Sequence, residues 1–312
     1  MPKIDKPILI ACAFIVVILL VGSGYTLATQ GTLSFLSPDY LLQQLQIASF
    51  LGITAAGMML VILMGHIDLS VPWTLATSAM IAAAIGGPWA ILIGIAVGLV
   101  IGLINGIGVA VLRVPSMIFT LGVNTVLLGL MVILTGGHAP QDSATEAMVF
   151  LGGARTFGIP HALAIWILVS VAIVFVLYRT ALGRYIYAIG NREAAAYLSG
   201  VRTRLVIIAA FMMCSVCAAI AGLLLAGRSG RAFQAMGDQY LLPSIAAVVL
   251  GGTHILGGQG KYLGTVVGAV MIVLLDSVLS VMQMPEAGRQ IIYGSVIILM
   301  LLAYGRGQKL RA

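Results

Sequence analysis

The side chains able to do chemistry are few in this sequence, and most lie in apolar surroundings. Cys214 and Cys217 form C-x-x-C, a spacing that elsewhere serves zinc or redox chemistry. No His or acid accompanies them, so they read as small buried residues one helical turn apart. Gly257-Gly258-Gln259-Gly260-Lys261 carries part of a phosphate-loop spacing. Ile255 stands where that loop needs its first glycine, and Tyr262 where it needs Ser or Thr, which excludes nucleotide binding by this chain. The four His are scattered without metal-ligand spacing, and no Ser, Cys or acid sits in a catalytic grouping. The chain therefore reads as non-catalytic, with no metal and no cofactor of its own.

What remains is hydrogen bonding by polar groups inside apolar segments, where each is costly and needs a reason. Asp276 could face a wet cavity and accept hydrogen bonds from a hydroxylated solute, or be capped by neighbouring groups for packing. Asn105 and Asn124 could line a path or tie helices together. Gln43, Gln44 and Gln46 crowd one end of an apolar segment, and neutral amides suit sugar hydroxyls as well as a headgroup boundary. Asp68 reads as a cap for a helix starting near Pro72. A tentative path set is Gln43, Gln46, His66, Asp68, Asn105, Asn124 and Asp276.

The elements that must position these groups are membrane helices. The sequence has 312 residues, 61% hydrophobic and 8% charged, with a mean hydropathy of +1.14. A soluble domain is about a quarter charged. The expected fold is all-α and polytopic, a single transmembrane unit over 1–312 with no segment large enough for a soluble domain. Ten spans are expected, at about 8–29, 41–64, 72–86, 89–111, 115–135, 161–178, 205–226, 240–251, 262–282 and 290–304. The first exceeds a signal-peptide core and lacks a cleavage site, so it reads as a retained span. The third and eighth are short and adjoin interruptions, 65–70 and 251–260. Non-helical backbone at membrane depth must be buried or wet, so both should lie near a central pathway. Spans two to five and seven to ten are weakly related inverted groups.

Charge orients the chain. With the N-terminus inside, twelve of the 16 Lys and Arg fall on the cytoplasmic side. They include Lys3, Lys6, Arg113, Lys261, Arg306, Lys309, Arg311 and five in 179–204. Arg155, Arg228, Arg231 and Arg289 fall outside, so both termini are expected to be cytoplasmic. The net charge of +7 thus follows membrane sides and is no sign of nucleic acid. The loop 137–160 is expected outside, with a short surface helix. The loop 179–204 is expected inside, with a short amphipathic helix capped by Asn191 and stopped by Gly200. Gly94, Gly98, Gly102 and Gly106 recur every four residues and should let a neighbouring backbone approach closely.

Four ordered motifs resemble the ribose-type sugar permeases of ATP-binding-cassette importers. G-H-I-D-L-S-V at 65–71 is similar to their G-G-I-D-L-S-V element, with His66 in place of Gly. The run 105–121, NGIGVAVLRVPSMIFTL, the stretch 190–200 and the stretch 245–260, IAAVVLGGTHILGGQG, resemble three further elements of that family. The resemblance implies a permease subunit in a bacterial inner membrane, importing a monosaccharide or similar small polar solute by alternating access. It implies partners: a second permease copy or paralogue, cytoplasmic ATPase subunits that bind ATP and Mg, and a periplasmic sugar-binding protein. It makes Gly190, Asn191, Arg192, Glu193, Ala194, Ala195, Ser199 and Gly200 the segment that couples to the ATPases. Permeases for branched-chain amino acids or nucleosides share some of this layout. From other classes, a stand-alone ion-coupled transporter would need a coupling acid, for which Asp276 is the deep candidate, and an intramembrane enzyme lacks a catalytic group.

Overall fold

The computed structural model describes residues 6–138 and 142–307. The helices in chain order are α1 (Lys6–Gln30), α2 (Pro38–Ile62), α3 (Val71–Ile85), α4 (Ala90–Ala110), α5 (Ser116–Leu134) and α6 (Glu146–Gly153). A two-residue hairpin follows, β1 (Arg155–Thr156) against β2 (Ile159–Pro160), antiparallel with Arg155 opposite Pro160. Then come α7 (His161–Arg179), α8 (Ala181–Leu198), α9 (Thr203–Ser229), α10 (Leu241–Leu250), α11 (Tyr262–Val281) and α12 (Glu286–Gly307). Lys3, Lys309 and Arg311, and part of the loop 137–160, lie outside the described residues.

Among the described residues, seven helices are long and apolar enough to cross a membrane: α1, α2, α4, α5, α7, α9 and α11. The fold is thus an all-α, multi-pass membrane protein. At 1.5 Å per residue α3 reaches about 22 Å and α10 about 15 Å, short of a hydrocarbon core of about 30 Å. Local chemistry sets several helix starts. Ser37 accepts from the Tyr40 N–H ahead of Pro38, and Thr145 accepts from the Met148 N–H at the start of α6.

The core lies along α2 and α9. In the most apolar window of α2, 89% of residues are buried, against 22% for α1, 17% for α5 and 22% for α7. Those outer helices present apolar side chains outward, a surface that suits lipid because lipid tails are as apolar as leucine. The glycines of α4 lie against α9. A methyl added at Gly98 would meet Ala219 Cβ at 2.6 Å, one at Gly102 Met212 Cα at 2.6 Å, and one at Gly106 Ile208 Cα at 2.6 Å. At Gly94 it would meet Leu223 Cδ2 at 2.7 Å. The two helices therefore touch backbone to backbone along three turns. Cys214 and Cys217 are buried and unpaired, pressed on Gly57 of α2.

The outer loop holds the expected short surface helix, α6, packed by one face on α9, while the basic loop needs correction. Gly152 is pressed on the Leu224 carbonyl of α9, and Gly227 on the Met148 carbonyl of α6. The basic loop is almost wholly helical, because the Thr180 hydroxyl starts α8 early by accepting from the Gly183 N–H. Asn191 does not cap a helix: its Nδ2 donates back to the Tyr187 carbonyl. The break falls one residue later, at Arg192, which is extended at φ −166 and ψ 103. Gly200, at φ +83, ends the second part, with the Gly200 N–H on the Tyr197 carbonyl and the Val201 N–H on that of Ala196.

Candidate functional site

Two interruptions and the basic segment meet at one end of the bundle. The Gly258 N–H donates to the Leu63 carbonyl at 2.9 Å, joining the turn after α2 to the loop after α10. Gly190 of α8 sits on that bond. A methyl there would run into the Leu63 carbonyl oxygen and meet the Gly258 nitrogen at 2.5 Å. A methyl on Gly257 would meet Gly65 N at 2.8 Å and Gly190 Cα at 3.2 Å. Gly257 and Gly258 have φ of +91 and +78, so the loop needs glycine for its turn as well as for the contact. The Tyr187 hydroxyl donates to the Gly260 carbonyl at 2.8 Å. Burial pushes its pKa above the ordinary phenol range, so it remains a donor. Glu193 pairs with Arg113, beyond α4, at 2.7 Å. That pair is half exposed and contributes at most about 1 kcal/mol.

The other side of the segment is bare. Ala194, Ala195 and Ser199 are exposed. Tyr197 is 67% and Leu198 85% exposed. The apolar Tyr197 and Leu198 thus stand on the segment that carries the basic residues.

The first interruption is held by polar side chains from α4 and α5. The Ile67 N–H donates to Ser116 Oγ at 3.3 Å and the Leu69 N–H to Thr120 Oγ1 at 2.9 Å. Asp68 is not the cap of α3. Its Oδ1 accepts from the Ser70 N–H at 2.9 Å and the Ser70 hydroxyl at 2.6 Å, closing a turn over its own chain before α3 begins. Asn105 Nδ2 donates to Ser70 Oγ at 2.7 Å and lies 3.4 Å from both Asp68 oxygens. Asn105 and Asp68 are both fully buried, so this cluster ties α4 to the interruption. His66, half-buried, lies beside Phe211 and lines a surface recess with Arg113 and Pro115. The interruptions thus line a helix junction at the end of the bundle, because each needs the other's backbone as a hydrogen-bond partner.

Asp276 belongs to the opposite end. It lines a cavity of about 300 Å³ between α2, α10, α11 and α12, together with Gln44, Gln239, Tyr240, Ser280, Glu286 and Arg289. Its Oδ1 accepts from Arg289 Nη1 at 3.0 Å and from the Tyr293 hydroxyl at 2.6 Å. Arg289 Nη2 donates to Glu286 at 2.6 Å. Asp276 is thus held by Arg289 and Tyr293 at the wall of a cavity.

The remaining polar residues divide. Gln46 is buried and engaged elsewhere, donating to the Gly152 carbonyl at 3.1 Å and accepting from Arg155 at 3.4 Å. Gln43 is exposed on α2, and the neighbour that reaches the cavity is Gln44. The helical phase of α2, 100° per residue, separates these three amides and could have been used to choose among them. Asn124 on α5 has a buried side-chain oxygen without a partner among the described residues. Arg289 was missed as a cavity residue, since its place four residues into α12 reads as an outer-loop charge.

Residues 40–301 match the profile of the family described as branched-chain amino acid transport system / permease component. The chain is 36% identical over 288 residues to a ribose import permease protein of Escherichia coli (strain K12), covering 88% of this chain and 90% of that one. It is 34% identical to the ribose import permease protein of Haemophilus influenzae, over 86% of each. It is 35% identical to an autoinducer 2 import system permease protein of Yersinia pestis, over 83% of this chain and 75% of that one. No solved structure matches the chain.

Proposed function

This chain belongs to the permease-component family of branched-chain amino acid transport systems, and from that premise we propose that it imports a small neutral sugar or sugar-like solute as the membrane subunit of an ATP-driven importer. The relatives named for ribose and autoinducer 2 import support the solute class. The role of the chain in the complex rests on one observation. The segment 190–200 is wedged by Gly190 into the bond between the two interruptions, while its far side exposes Ala194, Ala195, Tyr197 and Leu198.

The exposed side is the docking surface for a cytoplasmic ATPase subunit, which binds the ATP and Mg that this chain has no loop to hold. A push on it acts on Gly190, which is packed so closely on Leu63 and Gly258 that not even a methyl fits between them. Leu63 caps α2 and Gly258 lies in the loop that follows α10, so the stroke is directed at helices that line the cavity at the opposite end. Interiors packed this closely transmit displacement instead of absorbing it. The permease works as a dimer, with a second copy or a paralogue, and receives its solute from a periplasmic binding protein. On this reading α1, α2, α3, α4, α5, α7, α9, α10, α11 and α12 make ten crossings, the short α3 and α10 completing theirs with the non-helical segments beside them, and both termini are cytoplasmic.

The test is Ala195→Arg. The side chain is exposed, so the permease folds, but the docking contact is overfilled and a charge is desolvated there. Either the ATPase subunits are lost from the co-purified complex, or solute-stimulated ATP hydrolysis falls by about tenfold, equivalent to about 1.4 kcal/mol of contact. Solute binding to the isolated periplasmic protein stays unchanged. A normal subunit ratio with full stimulation would mean that the ATPases dock elsewhere.

A further inference from the structure

The cavity around Asp276 has a composition that selects among solutes. Its three charged residues, Asp276, Glu286 and Arg289, sum to −1, and the single cation already donates to both acids. An anionic ligand would meet two carboxylates and a guanidinium that already donates from Nη1 and from Nη2 to those acids. Carboxylates and phosphates are therefore disfavoured. Neutral groups remain to be served. Gln239 and Ser280 are exposed on the cavity wall, and no other residue competes for them among the hydrogen bonds found in the described residues. Asp276 accepts both its bonds on Oδ1, and its side chain is 43% exposed. Arg289 has a buried Nε–H with no acceptor among the described residues. Spare acceptors, spare donors and no net positive charge suit a ligand whose hydroxyls both donate and accept. The volume, about 300 Å³, is at the small end for ligand pockets, which fits a single sugar ring.

We infer that this cavity, built within one permease chain at the end opposite the coupling segment, is a binding site for a neutral polyhydroxylated solute. It rests on the import reading above and gives that reading a solute site in this subunit. Asp276 and Glu286 accept from ring hydroxyls, Gln239 and Ser280 supply bonds of either sense, and Arg289 holds the acids in place. The ion pair between Asp276 and Arg289 is the positioning element, because it ties α12 to α11.

The experiment uses the full chain in detergent, without partners, and saturation-transfer NMR, which detects weak binding. The probes are D-ribose, ribose 5-phosphate and L-leucine. Ribose signals appear with the wild-type chain and fall at least about fivefold in Gln239→Leu/Ser280→Val, a loss of about 1 kcal/mol. Both side chains are exposed, and an unchanged melting temperature certifies the fold. Ribose 5-phosphate and leucine give no signal. Equal ribose signals in wild type and variant, or none in either, overturn the site. Binding of ribose 5-phosphate or leucine overturns the selection argument. A parallel uptake assay of the reconstituted complex separates the two ideas. ATP-driven ribose uptake that is indifferent to the double substitution sinks only the site, whereas no uptake of any neutral sugar sinks the import reading itself.

Discussion

Asp68 turns its carboxylate back on its own chain, and Asn105 completes the cluster from α4. The sequence marks both residues as costly in an apolar setting, but it gives no partner, because Ser70 and Asn105 are 35 positions apart. Asn124 looks equivalent in the sequence and is not in the fold: it has no hydrogen bond among the described residues. The difference predicts a contrast. Asn105→Leu leaves Asp68 and Ser70 short of a donor in a buried site, and costs about 1–3 kcal/mol. Asn124→Leu removes an unsatisfied group and leaves stability unchanged or slightly raised. Melting in detergent, followed by tryptophan fluorescence, checks the pair. Equal losses in both variants would show that the cluster contributes nothing specific. The same residue-scale limit explains Gln43, Gln44 and Gln46. Three adjacent amides have one composition, and only the helical phase of α2 and the position of α6 decide which reaches the cavity.

At the scale of elements, the sequence was most readable where one residue type carries a steric meaning. The four glycines of α4 predicted a close partner, and that partner is α9. The positions of the seven long apolar helices were legible because hydrophobic length is a local property. The break in α8 was not, since Arg192 is extended for a tertiary reason: the first part of the helix is anchored by Gly190 on the junction, and the second by Glu193 on Arg113. Helix propensity contains neither anchor. Glycines on different faces should then differ under one substitution. Gly102→Leu forces α4 from the Met212 backbone, and overpacking of this kind costs at least about 1–3 kcal/mol. Gly122→Leu on α5 meets nothing within 4 Å and leaves the protomer's fold intact. Yield of monodisperse protein and its melting temperature decide it. A well-behaved Gly102→Leu would show that α4 and α9 separate freely. Gly190→Ala probes the junction with a single methyl, which must displace the Leu63 carbonyl. The expected result is a permease that assembles with its ATPases but loses most solute-stimulated hydrolysis, measured in nanodiscs, and normal stimulation would remove Gly190 from the force path.

At the scale of the whole molecule, packing and charge point to the same two ends. The junction of Leu63, Gly190 and Gly258 gathers the interruptions beside Arg113, Arg192 and Lys261. The opposite end joins Ala144 to Gly230 by a backbone hydrogen bond of 2.9 Å and holds α6, the hairpin and the cavity. Neither fact depends on the other. Charge bias follows from how the chain inserts, whereas the junction follows from glycine sterics. In the proposed orientation the junction is cytoplasmic and the cavity outer, and sidedness can be read directly. Cys12 is the exposed native thiol, while Cys214 and Cys217 are buried, so Cys12→Ser gives a quiet background. In that background Ser143→Cys and Ser199→Cys each place one thiol at an exposed position, one at either end. In intact spheroplasts a membrane-impermeant maleimide labels Ser143→Cys within minutes, and Ser199→Cys reacts only after permeabilisation. Assembled ATPase subunits should then protect Ser199→Cys even in permeabilised cells, because that residue stands on the surface they cover. Labelling of Ser199→Cys from outside would invert the molecule and put the cavity on the cytoplasmic side. Protection that is absent with the ATPases bound would leave the topology standing and move the docking surface away from α8.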